Sequence, residues 1–571
     1  MASSQAADEL VPATWQAAPA RETSRVLRRR HVVALAAMAA CQAQAFEFNT
    51  GDSELKLRWD NTVKYSAMAR LQKPSAGLSR TAFGPTGVVG PNNLNQDDGD
   101  NNFSRGIVSN RLDLLSELDA NWRNFGGRLS AAAWYDGVYN RDNQNQSSSA
   151  NHSPRNEFPA ETRDLMGRKA EILDAFVFGR FDVADKPVTL RLGKHSLLWG
   201  ESLFFGANGI AGGMAPLDLI KLQSVPSATF KEVARPTGKL SGQVQLSPEV
   251  SVGAYVAYEW EKTRLMPAGA YLSTSDTLGP GAERINAGPT GVFVRQSDLG
   301  ARNGGQGGLQ LRWRVDAIDT DLGFYAIRYH ATGPSNIWNT LSGLPPALSA
   351  SSYRWVYHEG IRAFGMSFSK TVGEWGLAGE ASYRQNTPLA SSGQSVIPAI
   401  GVGTGYDNND NPGYAVGETA HLQFSWIASL GPNFLAQESS FVGEVAWNRR
   451  VKVTRNPEML NPNADRTATA LRFTFSPSYR QVVPGLDLTP SVGLGYAWGN
   501  SSAVGPAFGI NKGGDLSLGL GAVYLGNWNA NLNYVRFLGP EGPTLDNANN
   551  AQFKQALKDR NFVTLSLRTT F

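Results

Sequence analysis

The eleven residues Asn561 to Phe571 constrain this chain more than any other stretch. Val563, Leu565, Leu567, Thr569 and Phe571 fall on one face of a strand, and Thr564, Ser566, Arg568 and Thr570 on the other. One face suits lipid and the other suits water. A terminal aromatic on such a strand resembles the signal that marks outer-membrane barrels for assembly. A soluble sheet edge would show the same alternation, so the reading rests on what the rest of the chain does.

The alternation runs through the whole chain. In Glu54 to Leu71, the residues Leu55, Leu57, Trp59, Val63, Tyr65, Ala67 and Leu71 share one face, while Lys56, Arg58, Asp60, Lys64 and Arg70 share the other. Similar segments recur to give 18 candidates, among them 127–140, 188–200, 250–261, 353–371 and 488–499. Segments 170–182, 236–246 and 320–330 are weak, and the count falls to 16 if they merge into loops. The connections alternate short and long. Asn124 to Gly126, Ser247 to Glu249, Val372 to Glu374 and Gly526-Asn527 are tight, whereas 72–106, 141–169, 201–235, 262–306, 331–352 and 387–418 are long and polar. This predicts an all-β, transmembrane antiparallel barrel of about 18 strands, with short periplasmic turns and long external loops. Trp122, Trp375, Trp528 and Phe571 then mark the periplasmic interface; Tyr258, Trp260, Tyr383, Tyr496 and Trp498 mark the outer one.

Composition excludes the competing classes. Only 18% of residues are charged, yet no apolar run approaches the length of a membrane helix. The formal net charge is +4 and no long basic run is present, so no nucleic-acid partner is expected. The single cysteine is Cys41; a barrel closed by backbone hydrogen bonds needs no disulfide. Arg28, Arg29 and Arg30, the apolar run Val32 to Ala40, and Ala43-Gln44-Ala45 read as an export signal cleaved near Ala45. Residues 1–45 are therefore expected to be an N-terminal extension and signal peptide, and 46–571 the barrel, placed in the outer membrane of a Gram-negative bacterium and surrounded by its lipid.

Enzyme chemistry finds little support. His152, His195, His330, His358 and His421 are scattered, and no nucleophile elbow, phosphate loop or zinc motif occurs. No catalytic residue, metal ligand or cofactor is expected. Asp97-Asp98-Gly99-Asp100 and Asp407-Asn408-Asn409-Asp410 read as solvated loops. Inward charges on the strands, such as Arg111, Asp113, Glu117 and Asp119, or Arg312 and Arg314, are of mixed sign. They do not favour a strongly ion-selective pore.

The segment that carries chemistry is 188–235. It contains Arg191-x-Gly193-Lys194, Trp199-Gly200-Glu201-Ser202, Pro216-x-Asp218 and Lys231-Glu232. In the order and spacing of these motifs the chain resembles a family of proteobacterial outer-membrane proteins known as domain of unknown function 1302. Ala215 departs from that pattern, where the family more usually has Asn before the Pro. The resemblance implies an outer-membrane barrel associated with a periplasmic lipid carrier and an inner-membrane transporter of the resistance-nodulation-division type. It also implies a conduit for hydrophobic or lipid-like small molecules; the residues alone leave open a permissive aqueous porin, or a barrel for scaffolding or adhesion. Oligomeric state is not legible.

Segment 201–235 is rich in apolar residues for an external loop, including Leu203, Phe204, Phe205, Ile210 and Met214. It is expected to fold inward as a plug. Arg191, Lys194, Lys221, Lys231 and Arg235 are expected to pair with Glu201, Asp218 and Glu232, while Trp199, Phe204 and Phe205 line the path.

Overall fold

The computed structural model describes residues 46–571 except 49–50, 52–53, 82, 85–86, 89–91, 226–232, 288–290 and 345. The predicted extension and export signal thus lie outside the described residues. Eighteen antiparallel strands close on themselves. They are β1 (Leu55–Arg70), β2 (Gly106–Trp122), β3 (Phe125–Asp136), β4 (Arg168–Val183), β5 (Lys186–His195) and β6 (Thr237–Gln245). Next come β7 (Val250–Ala257), β8 (Gln306–Val315), β9 (Thr320–Tyr329), β10 (Ile361–Val372), β11 (Trp375–Pro388) and β12 (Val416–Leu430). The last six are β13 (Glu438–Arg455), β14 (Thr467–Val483), β15 (Leu486–Trp498), β16 (Gly513–Tyr524), β17 (Trp528–Leu538) and β18 (Phe562–Thr570). Each strand pairs with its neighbours in sequence, and β1 pairs with β18 from Thr62↔Thr570 to Arg70↔Phe562. The short strand Phe46–Phe48 adds to the periplasmic end of β1, beyond that closing pair.

The pleat sorts side chains as the sequence predicts. Leu309, Leu311 and Trp313 of β8 are exposed on the outside, while Gln310 between them is buried on the inside. Leu190, Leu192, Val256, Met366, Leu422, Leu532 and Leu565 extend the same exposed apolar belt around the wall. In water such a surface would be unstable; it is a surface for hydrocarbon. The three weak segments all form strands, which fixes the count at 18.

Several boundaries differ from expectation: segments 127–140, 188–200 and 250–261 stop early, at Asp136, His195 and Ala257. Segment 353–371 is two strands: Ser349–Val356 belongs to an external sheet, and β10 begins only at Ile361. The alternation continues across the gap, so the sequence hides the turn at His358 to Gly360. That external sheet has five strands, in the order Arg284–Asn286, Val292–Arg295, Ser349–Val356, Asn336–Ser342 and Gln394–Ile397. The long loops are therefore folded structure. Trp260 belongs to it as well: β7 stops at Ala257, and the indole packs edge-on to Tyr357 at 5.2 Å instead of facing the interface.

The loops around the β1–β18 closure are pinned by a buried charge network. Arg70, the last residue of β1, donates to Asp100 Oδ1 at 2.5 Å and Asp559 Oδ2 at 3.1 Å, and to the carbonyl of Phe103 at 2.8 Å. Arg560 lies 3.4 Å from the same Asp100 and donates to the carbonyl of Tyr271. Three external loops thus meet above the closing strands, over an apolar cluster of Phe103, Tyr139, Phe158, Tyr271 and Phe562. Replacing Arg70 by Met leaves two buried carboxylates without this cation. Breaking a buried pair in this way costs about 3–5 kcal/mol, so urea unfolding of the refolded barrel in micelles should show a loss of that order.

Candidate functional site

The segment after β5 leaves the wall and enters the lumen. Gly200 is the first requirement: its φ is +90°, and a Cβ there would lie 2.1 Å from a Glu380 carboxylate oxygen. Only glycine allows the backbone to approach that carboxylate. Glu380, on β11, accepts from the backbone N–H of Glu201 at 3.0 Å and of Ile210 at 2.6 Å. Glu444, on β13, accepts from the backbone N–H groups of Leu203, Phe204 and Phe205 at 3.2, 2.5 and 2.8 Å, and from the Ser202 hydroxyl at 3.2 Å. Arg384 of β11 donates to the carbonyls of Ala207 and Gly209 at 2.9 and 2.8 Å. Asn208 closes the turn, with Asn448 donating to its side-chain oxygen at 3.2 Å and His421 contacting that atom at 3.0 Å.

These wall residues lie six to eight strands around the ring from β5. Residues 196–215 therefore run across the lumen and return to β6 on their original side. Buried backbone polar groups need partners, and here inward-facing side chains supply them. Apolar contacts complete the seat. Trp199 packs edge-on to Tyr255 at 5.2 Å and stacks near Tyr325 at 6.4 Å, with Ile210, Met214 and Tyr329 in the same cluster. Phe205 meets Phe508 of another loop at 5.7 Å, and Phe204 is half-buried beside it.

The sequence-predicted charges find different partners from those expected. Glu201 pairs with Arg312 of β8 at 3.0 Å. Lys194 pairs with Glu261 at 2.8 Å, and Arg235 with the same Glu261 at 3.2 Å. Asp218 caps the short helix Leu219–Ser224 through the backbone N–H of Lys221 at 3.1 Å, and accepts from Arg264 at 2.9 Å. Arg264 also binds Glu171 of β4. Arg191 lies over the Phe176 ring at 4.7 Å. Lys231 and Glu232 fall outside the described residues. The second half of the segment is thus tied to the 258–305 loop and the β4 wall, not to its own acids. Sequence reasoning missed Glu380, Arg384 and Glu444. Their signal was present but faint: Glu380 follows Gly379, and Glu444 follows Gly443, each an acid at an inward position beside a glycine.

Among the described residues, Asp97, Asp98 and Asp276 bring carboxylate oxygens within 4.8 Å of one another. Contrary to the solvated-loop expectation, all three are buried. Asp407 matches that expectation: its carboxylate accepts from the backbone N–H groups of Asn409 and Asn411 in an exposed turn. The buried trio is met by donors instead. Asp276 accepts from the backbone N–H groups of Asp97 and Asp98, Asp98 from Asn145 and Asn151, and Asp97 from Asn101 and Ser149. Burial, then the Asp98 charge, pushes Asp97 up to about 7. Burial pushes Asp98 up to about 6 and raises Asp276 well above the ordinary carboxylate range, with the Asp98 and Asp97 charges adding to it. Carboxyls raised in the folded state stabilise it when protonated, and that contribution is lost as pH rises through their folded values. Hydrogen exchange of residues 92–103, corrected for intrinsic rate, should therefore be slower at about pH 5 than at about pH 8.

The two glutamates make the segment's position testable. Glu444→Ala leaves three backbone N–H groups and a hydroxyl unpaired, each costing about 1–3 kcal/mol when buried. The variant should show larger and noisier single-channel currents than the wild type in a planar bilayer, with the barrel still folded.

The chain resembles the crystal structures of OccAB3 from Acinetobacter baumannii (8% identity, TM-score 0.43, covering 90% of this chain and 99% of that one) and of OpdK from Pseudomonas aeruginosa with vanillate (10% identity, TM-score 0.37, covering 90% and 98%). Among curated proteins no sequence matches. The family model described as "Protein of unknown function (DUF1302)" matches residues 26–571, so the chain belongs to that family.

Proposed function

We propose that this barrel is an outer-membrane transport channel of a Gram-negative cell, conducting hydrophobic or lipid-like small molecules past a constriction made by residues 196–215. The observation that carries the reading is the seating of that segment. Its backbone is held by Glu380, Arg384 and Glu444, so the lumen is narrowed by a fixed element and not by a loose loop. Aromatic packing anchors it further: Trp199 sits against Tyr255 and Tyr325 of the wall, and Phe205 against Phe508 of another loop. A wide permissive pore has no need of a fixed constriction, and a scaffold has no need of a crossing segment. The resemblance to the family supports a periplasmic lipid carrier and an inner-membrane transporter as partners that receive or deliver the cargo. Lys194, Arg235, Glu201 and Asp218 act in this scheme by holding the constriction and the loops around it, through Glu261, Arg312 and Arg264.

Deleting residues 203–222 tests the proposal. Single-channel conductance of the refolded protein should rise, because the aqueous cross-section opens. Unchanged conductance in a folded barrel would reject the constriction, and large steady openings of the intact protein would favour the aqueous porin.

A further inference from the structure

Two prolines break the barrel wall at one place. Pro477 lies inside β14 and Pro490 inside β15, whereas Pro187 and Pro388 sit at or next to strand ends. The β14–β15 register runs to Phe475↔Val492 and continues at Tyr479↔Leu488 without the three pairs between; past that pair it shifts before Val483↔Leu486 at the hairpin end. That register sets Pro477 opposite Pro490. On their other sides both prolines remain paired, with Ser439 and Leu520 respectively. In an antiparallel ladder a residue directs its N–H and C=O to the same neighbour, and two facing residues of a narrow pair exchange both bonds. Proline has no N–H. Two prolines in one narrow pair remove both bonds and with them three consecutive register pairs, as observed. A wall strand in lipid tolerates such a loss poorly, because no solvent replaces the missing donors.

The surroundings of the gap suit an uncharged molecule. By the pleat, both prolines face outward in the apolar belt with Phe475 and Val492, and Ser476, Ser478, Thr489 and Ser491 face the lumen. Gly519 and Gly521 of β16 lie beside them, with Ser491 and the neutral Asn533 and Asn531 amides packed close over them. Ion pairs frame the gap on either side. Arg472 of β14 reaches Asp515 of β16, donating at 3.1 Å on one side of the fork. Arg480 reaches Asp487 of β15 and Glu438 of β13, each at 3.0 Å. Between these clamps the inner wall is neutral and missing two hydrogen bonds.

We infer that the β14–β15 seam at Pro477 and Pro490 is a lateral window through which apolar, uncharged molecules pass between the lumen and the periplasmic side of the bilayer. The inference rests on the conduit reading, since only a hydrophobic cargo gains by leaving the lumen into lipid.

The test uses the full chain in vesicles of phosphatidylcholine brominated on its acyl chains. A bimane label is placed at Thr489→Cys, facing the lumen beside the seam, or at Thr189→Cys, facing the lumen on β5, whose ladder is unbroken on both sides. Brominated chains that enter the window should quench the label at 489 more strongly than the one at 189. In Pro477→Val/Pro490→Val, which restores both donors, the excess should vanish. If that double variant does not fold, Pro490→Val alone restores one donor and should lower the excess. Equal quenching at the two sites, or an excess that survives repair, overturns the window. The conduit reading fails separately, on unchanged conductance after deletion of 203–222, which the proline variants do not affect.

Discussion

Backbone hydrogen bonding in a medium without water is the constraint on which this structure depends. Each unpaired N–H or C=O in hydrocarbon costs several kcal/mol, so the sheet cannot keep an edge. The ladder from β1 through β18 meets that demand only because Thr62 to Arg70 finds Phe562 to Thr570, some 500 residues along the chain. The closure is reinforced at its external end. Arg70 sits there, fully buried between Asp100 and Asp559, and gathers loops from three parts of the sequence onto the seam. An arginine suits the position because its planar fork reaches two carboxylates and three carbonyls, those of Asp100, Phe103 and Asp559, at once, which an ammonium group does not.

The same demand operates inside the lumen with different partners. Residues 196–215 have no strand beside them, so wall side chains take the place of a ladder. Glu444 alone receives three consecutive N–H groups, and Arg384 serves two carbonyls of the same turn. This is why the charges of the lumen are of mixed sign. They are matched to particular backbone atoms and to one another, as in Arg128 with Asp119 at 2.7 Å, and not arranged as a field for one class of ion. The cost of placing acids inside the wall is offset by the hydrogen bonds they accept.

Much of this was legible in the residues, for a physical reason. A strand between lipid and water must alternate, and segments as plain as Val250 to Ala257 state their facing outright. Apolar residues where a solvated loop would carry none gave the expectation of an inward fold for 201–235, whereas the stretch that crosses the lumen is 196–215. Its partners were not legible. Glu380 and Glu444 lie far along the chain from Trp199-Gly200-Glu201-Ser202, and closure of the ring alone brings them together. The loops were misjudged for a related reason. Asp97 to Asp100 looks solvated when read locally, but Asp276 and Arg560 arrive from distant loops and bury it. Polarity in sequence marks the need for partners; it does not say whether water or protein supplies them.

The constriction and the proline seam are two departures from one rule, and they differ in how the chain treats them. Where 196–215 forgoes a ladder, seven backbone groups between Glu201 and Ile210 are given a carboxylate or guanidinium partner, so the departure is held in place. Where Pro477 meets Pro490, nothing charged faces the gap; its inner neighbours are serine, threonine, glycine and asparagine, and the nearest ion pairs stand to either side. A wall that needed to be sealed there would carry any residue with an N–H in place of either proline. Retaining both, opposite each other, in the stretch framed by interstrand ion pairs, places a weak point in the wall between a regular ladder ending at Phe475↔Val492 and a hairpin end that itself shifts register after Tyr479↔Leu488. That distribution is the one a localised opening requires: a regular ladder on one side, ion pairs on both, a neutral inner surface, and few bonds to separate.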